Sequence, residues 1–325
     1  MRRRALLALA IIAITPQAVQ AQPRRKPARI AYLSPLSADS DRRFISAFRE
    51  GLREHGYAEG QSVVIDVRYA AGKLDRLPAL AAELGRADPD VFVVYGAEAV
   101  NAAAAAVPRV PIVISNTQDP IASGLVASLA RPGGRITGMS DFHAASTTKR
   151  LEILKEALPG LTRLAVFWRA ANAPHGPQME ELSRAASRIG ISLLPLEINR
   201  PEDIEPAFAA IRRERAGALL MLGEAILTAN AKNVVQLSLQ TGVPVMYTAP
   251  LFAELGGFMT YGADIGDLCR RSAGHVDKIL RGARPGDLPI EQPTKFELVI
   301  NLKTAKALGI TVPRFLLSRT DRVIE

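Results

Sequence analysis

The chain has 325 residues, 48% of them hydrophobic and 22% charged, which gives enough apolar content for two cores and excludes a disordered polymer. The formal charge of +9 includes Arg2, Arg3 and Arg4; without them Lys plus Arg falls from 41 to 38 against 32 acids, a charge of +6. No dense basic helix or basic run interleaved with aromatics accompanies that charge, so nucleic-acid binding is not expected, and the single cysteine, Cys269, excludes an intrachain disulfide.

The N-terminus reads as a cleaved secretory signal peptide over residues 1–21. It has a basic start, an apolar run over 5–14, and small residues Val19 and Ala21 placed for cleavage before Gln22. The apolar run is well short of the ~20 residues needed to span a bilayer. The mature chain is therefore expected in the periplasm.

A Pro-rich linker leads into a buried strand over 29–33, which ends in the polar loop Ser34, Pro35, Leu36, Ser37. Phe44, Phe48 and Leu52 then recur every four residues, the spacing of one helix face, and Gly56 is placed to end that helix. A strand over 62–68, a helix over 74–84 and a strand over 91–94 follow. The third strand runs through Tyr95, Gly96 and Ala97 straight into an alanine-rich helix that stops before Pro108. A fourth strand over 112–115 opens onto Ser115, Asn116, Thr117, Gln118 and Asp119, and a short strand over 135–139 lies beyond the breaker cluster Pro132, Gly133, Gly134. Strand and helix alternate with short connections, the pattern of a doubly wound parallel sheet.

The alternation restarts at Thr147. Leu151, Leu154 and Leu158 mark a helix; strands are expected over 163–168, 191–196, 217–222 and 243–247, with helices over 179–189, 204–212 and 225–240 between them. The tail adds a strand over 257–261, a long helix over 264–281 whose apolar stripe includes Cys269, a Pro-punctuated stretch over 285–293, a strand over 296–301 and a helix over 303–308. Cys269 is expected to be a core residue. The fold class expected is α/β, two doubly wound parallel-sheet lobes joined by a hinge of three crossings, with lobe one over 28–139 plus 262–284 and lobe two over 140–261 plus 287–325. Such a pair of lobes closes on a ligand in the cleft between them.

Catalytic signatures are poor. His55, His143, His175 and His275 lack metal-ligand spacing, Gly72-Lys73 is followed by Leu74 rather than a P-loop hydroxyl, Gly133-Gly134 precedes a strand rather than following one, and no G-x-S-x-G occurs. No cofactor, metal or catalytic residue is expected.

Several segments, in order, carry a family resemblance: residues 48–57 (FREGLREHGY), 88–90 (DPD), Asp119-Pro120, Gly124-Leu125-Val126, Pro132-Gly133-Gly134, Thr137-Gly138, 154–159 (LKEALP), 298–306 (LVINLKTAK) and 308–313 (LGITVP). In this order the chain resembles the ABC-transporter substrate-binding proteins of the tryptophan/tyrosine type. The resemblance implies a type I periplasmic-binding-protein fold and a receptor that hands a small solute to a membrane permease. The solute expected is small and carboxylate-bearing, an amino acid, aromatic ones included, or a related organic acid, and the receptor is expected to be a monomer.

Ligand contacts are expected at the carboxyl ends of the strands, where open α/β sheets bind. In lobe one these are Ser34, Leu36, Tyr95, Gly96, Ala97, Ser115, Asn116 and Gln118, with the helix start at Gly96-Ala97 offering N–H groups to a carboxylate. In lobe two they are Trp168, Arg169, Glu224 and Tyr247. Trp168 is placed to stack on a flat solute, or else to lie half-buried under a helix. Arg169 stands where the resembled family has an Asn-Pro turn, and Glu224 where it has a shorter polar residue, so both weaken transfer of an aromatic ligand. Asp264 is expected to bind an ammonium or order the hinge, or to cap the helix after it. Two further readings stay open: an exported α/β enzyme, and a sensory binding protein serving a membrane receptor.

Overall fold

The computed structural model describes residues 26–141, 144–294 and 296–325. The leader expected over 1–21 lies outside them, as do Phe142 and His143. Among the described residues there are two sheets. The first contains β1 (Ala28–Ser34), β2 (Val63–Tyr69), β3 (Val91–Tyr95), β4 (Ile112–Asn116) and β5 (Ile136–Gly138), in the order β2-β1-β3-β4-β5 and parallel throughout.

Alternation along these strands assigns side chains to two layers. Ala31, Leu33, Phe92 and Val94 face helices Leu77–Gly85 and Ala97–Ala106, while Ile30, Tyr32, Val91 and Val93 face helices Ala38–Glu54 and Ile265–Leu280. Both faces are covered, so the strands are apolar runs rather than alternating ones.

The second sheet contains β6 (Arg163–Trp168), β7 (Ser192–Glu197), β8 (Ala218–Met221), β9 (Val245–Tyr247), β10 (Met259–Ala263), β11 (Phe296–Asn301) and β12 (Arg322–Ile324). Its order is β12-β11-β10-β9-β8-β6-β7, and β10 pairs with β11 antiparallel while the other pairs are parallel. Leu164, Val166, Leu220 and Met246 pack on one side, toward helices Ala144–Ala157 and His175–Arg188; Ala165, Phe167, Leu219 and Val245 pack on the other.

The chain passes between lobes three times. The first passage leaves β5 for helix Ala144–Ala157. The second is abrupt: β10 belongs to lobe two, yet the helix that starts at Ile265 buries Ala273, Val276 and Ile279 in the core of lobe one. Gly51 lets that helix close on helix Ala38–Glu54, since a Cβ there would stand 2.1 Å from the Arg270 carbonyl oxygen. Gly262 and Ala263 pair with Glu297 and Phe296, so the expected boundary at 261/262 falls inside β10. The stretch over 285–291 also runs along lobe one rather than opening lobe two. Gly133 N–H donates to Gly286 O (3.3 Å), Ile290 N–H to Leu129 O (2.8 Å), and Ile290 is buried in the lobe-one core. The third passage therefore lies between Glu291 and Phe296.

Arg150 fastens the first passage to the second. It is fully buried, donates from Nε to Tyr261 O (2.9 Å) and from Nη2 to Ser146 Oγ (2.9 Å), and burial pushes its pKa down to about 10.

Candidate functional site

The carboxyl ends of the two sheets face one another, and between them lies a cavity of about 60 Å³. Lobe one contributes Phe44, Tyr95, Asn116 and Gln118; lobe two contributes Gly223, Glu224, Ala225, Thr228, Thr248, Ala249 and Leu251; Asp141 and Ile265 come from the passages between them. Tyr95 closes the base by stacking on Phe44, with ring centroids 5.6 Å apart, and burial holds its phenol well above the ordinary range.

Two charged residues come together at one wall. Arg169, the first residue after β6, donates from Nε to Glu224 Oε2 (3.1 Å), and its Nη2 reaches Glu98 Oε1 in the first turn of helix Ala97–Ala106. Asn172 Nδ2 also donates to Glu224 Oε2 (3.0 Å). The Glu224 side chain is 1% exposed, and its other oxygen, Oε1, has no hydrogen-bond partner. Asn116 stands opposite. Its Nδ2 donates to Asp141 Oδ2 (3.3 Å), and since a carboxylate can only accept, the amide orientation is fixed and leaves Oδ1 as a buried acceptor with no partner.

Neighbouring groups hold this wall in place. His175 Nδ1 accepts from the Arg169 backbone N–H (2.9 Å), so its proton sits on Nε2, which donates to Gly223 O (2.9 Å). Gln118 reaches across from lobe one to the same carbonyl, and its Oε1 accepts from Gln178 (3.3 Å). A second set of contacts joins the lobes at the opposite rim: Ser40 Oγ donates to Ala229 O (2.9 Å), Lys232 pairs with Asp39, and Arg43 pairs with Glu254 (2.8 Å). These rim ion pairs are exposed enough for solvent to screen them, so each contributes little.

Of the residues expected at the site, Tyr95, Asn116, Gln118 and Glu224 line the cavity, and Arg169 braces its wall. Gly96, at φ +82°, makes the turn from β3 into the helix, but its N–H is taken by Asn116 O (2.8 Å), and the helix start at Ala97 already has the Glu98 carboxylate beside it. The others sit elsewhere. Ser34 donates to Asp41 Oδ1 (2.8 Å) inside lobe one, Leu36 is core, and Ser115 Oγ donates to Val94 O (3.0 Å). Trp168 packs against the lobe-two core, on the same side of β6 as Leu164 and Val166. Tyr247 stacks on Phe252 (centroids 4.8 Å apart) and donates to Ser238. Asp264 caps helix Ile265–Leu280 by accepting from Gly266 N–H (2.8 Å), with its side chain 51% exposed and within 3.5 Å of Arg43, outside the cavity lining. Cys269 is a buried core thiol whose pKa burial pushes up.

Sequence reasoning missed Phe44, Asp141, Ala225, Thr228, Ala249, Leu251 and Ile265. Gly223 and Thr248 stand at strand ends that the alternation had located. Asp141 lies three residues past Gly138, the end of β5, and that strand end was the available signal for it.

Residues 29–324 match the family described as ABC transporter substrate binding protein. A curated relative, the tyrosine-binding protein of Clostridioides difficile, is 23% identical over 263 residues, 81% of this chain and 75% of that protein. Among solved structures, a conserved domain protein of Vibrio cholerae is 27% identical with a TM-score of 0.85, covering 92% of this chain and all of that one. An ABC domain of Streptococcus pneumoniae in complex with L-Trp is 25% identical with a TM-score of 0.84 and the same coverage. The two sheet-based lobes are the type I periplasmic-binding-protein fold. With the matched segment spanning both lobes and all three passages, the chain belongs to the ABC transporter substrate-binding protein family.

Proposed function

We propose that the chain is the solute receptor of an ABC importer, working as a periplasmic monomer that closes its lobes over a small amino-acid-like solute and presents it to a membrane permease. The observation that supports this most is the cavity itself, lined from both lobes and from the passages between them, so that a solute bound there touches parts that move relative to one another. A solute that contacts both lobes stabilises the closed form by the difference between its affinities for the closed and open forms.

Of the charges on an amino acid, the carboxylate has lost one expected anchor. Arg169 is committed to Glu98 and Glu224. The start of helix Ala97–Ala106 offers no replacement, because the Glu98 carboxylate already stands in its first turn and the Gly96 N–H is taken by Asn116 O. The cavity is also smaller than the ~300 Å³ at the low end of ordinary ligand sites. An aromatic side chain therefore requires the lobes to stand further apart than they do here.

The test is calorimetric titration of the chain with amino acids and small organic acids, followed by chemical analysis of whatever binds. One-to-one binding with the solute recovered unchanged supports the receptor. Turnover of the bound compound contradicts it and supports the exported-enzyme reading.

A further inference from the structure

Arg169 and Glu224 of the lobe-two wall form one unit with Glu98. The unit holds two carboxylates and one guanidinium, so it carries an excess negative charge that no basic residue of the cavity lining offsets. Arg169 and Asn172 both approach Glu224 at Oε2, and neither reaches Oε1. Oε1 belongs to a side chain 99% removed from solvent that lines the interlobe cavity. Across the same cavity, Asn116 Oδ1 is a second buried acceptor without a donor, turned away from Asp141 by the direction of its own amide. Buried acceptors left without donors are costly, and native structures keep few of them.

We propose that Glu224 and Asn116 form the recognition site for a primary ammonium group, and that the Glu98–Arg169–Glu224 unit makes this receptor selective for small aliphatic amines and amino acids over their deaminated counterparts. An ammonium group brings several N–H donors from one atom, enough to serve Glu224 Oε1 and Asn116 Oδ1 together, and its charge balances the surplus of the unit. A hydroxyl brings one donor and no charge. A carboxylate brings none and is repelled. Arg169 acts here as a positioning residue: it holds Oε2 and leaves Oε1 as the oxygen available to a solute.

This inference rests on the receptor reading, and the experiment separates the two. The chain is titrated with the proteinogenic L-amino acids, short linear diamines, and the deaminated acid or diol corresponding to each. The ammonium-bearing member of each binding pair is expected to bind about tenfold or more tighter, the effect of a charge-assisted hydrogen bond. Glu224→Gln is expected to abolish that preference, and Asn116→Ser to reduce it. Deaminated members that bind equally well or better overturn the ammonium assignment and leave the receptor intact, as does a Glu224→Gln variant that keeps the full preference. No binding by any probe contradicts the receptor reading, and this inference falls with it. The wild-type comparison needs no variant, so a misfolded substitution does not shelter the proposal.

Discussion

Arg169 of lobe two is ion-paired with Glu98 of lobe one across the mouth of the cleft, and the same guanidinium holds Glu224 on its own side. One residue thus links closure of the lobes to the orientation of a buried carboxylate. The contact to Glu98 spans the two lobes, whereas the contact to Glu224 lies within lobe two.

Removing Arg169 is expected to be expensive. Arg169→Ala leaves Glu224 buried without its counter-ion, and breaking such a pair typically costs about 3–5 kcal/mol. Adding Glu224→Gln removes the uncompensated charge and should restore most of that loss. Denaturant unfolding of the two single variants and the double variant measures the coupling directly. Additive losses would show that the two residues do not act as a pair.

A second prediction concerns Asp41, which is buried in lobe one. Its Oδ1 accepts from Ser34 (2.8 Å) and Tyr32 (3.3 Å), Oδ2 has no partner, and burial raises its pKa from 3.8 to about 7, partly opposed by those hydrogen bonds and by Arg49. The folded state therefore holds this proton more tightly than the unfolded state. Between pH ~4 and ~7 the native chain carries the proton and the unfolded chain does not, so stability falls as pH rises, by at most about 1.4 kcal/mol per pH unit from this group. Asp41→Asn should lose that slope and be more stable than wild type at pH 8. Parallel stability curves for the two proteins across this range would contradict it.

Gly51 offers a packing test remote from the solute. A Cβ there meets Arg270 O at 2.1 Å and the Ala273 side chain at 2.9 Å, so Gly51→Ala must push helix Ile265–Leu280 away from lobe one. Overpacking of this kind costs about 1–3 kcal/mol or more. Because that helix also brings Ile265 to the cavity, the melting temperature and the solute affinity should fall together. A lower melting temperature with unchanged affinity would show that the helix is not coupled to the site.

Much of this architecture was legible in the sequence, because buried parallel strands are short apolar runs and their carboxyl ends are marked by abrupt polarity. What the runs do not reveal is which face of a strand end meets the cleft. Ser115 and Asn116 are adjacent, yet one hydroxyl bonds to the neighbouring strand and the other side chain lines the cavity. Trp168 shares parity with Leu164 and Val166, which was readable and points it into the lobe-two core; Arg169, one residue later, turns to the cleft. The helix expected over 225–240 is divided at Asn230, whose Nδ2 donates to Ile226 O (2.8 Å), a local competition that periodicity does not register. Helix Arg314–Leu317 and strand β12 are too short to show any period at all. Asp264 takes up the cap expected of it, accepting from Gly266 and Asp267 N–H, a role compatible with the other one expected there.

Solute binding between the lobes is open to a test by a substitution that fills the cavity without touching its charges. Ala225 lines the cavity, is only partly buried and opens a short helix, so Ala225→Phe adds a ring where solute would sit. Calorimetric titration with a solute that binds wild type should give an affinity lower by about a hundredfold or more, as expected when a well-packed contact region is blocked, with the melting temperature of the free chain little changed. Undiminished affinity in a folded Ala225→Phe variant would place the solute elsewhere and contradict the account.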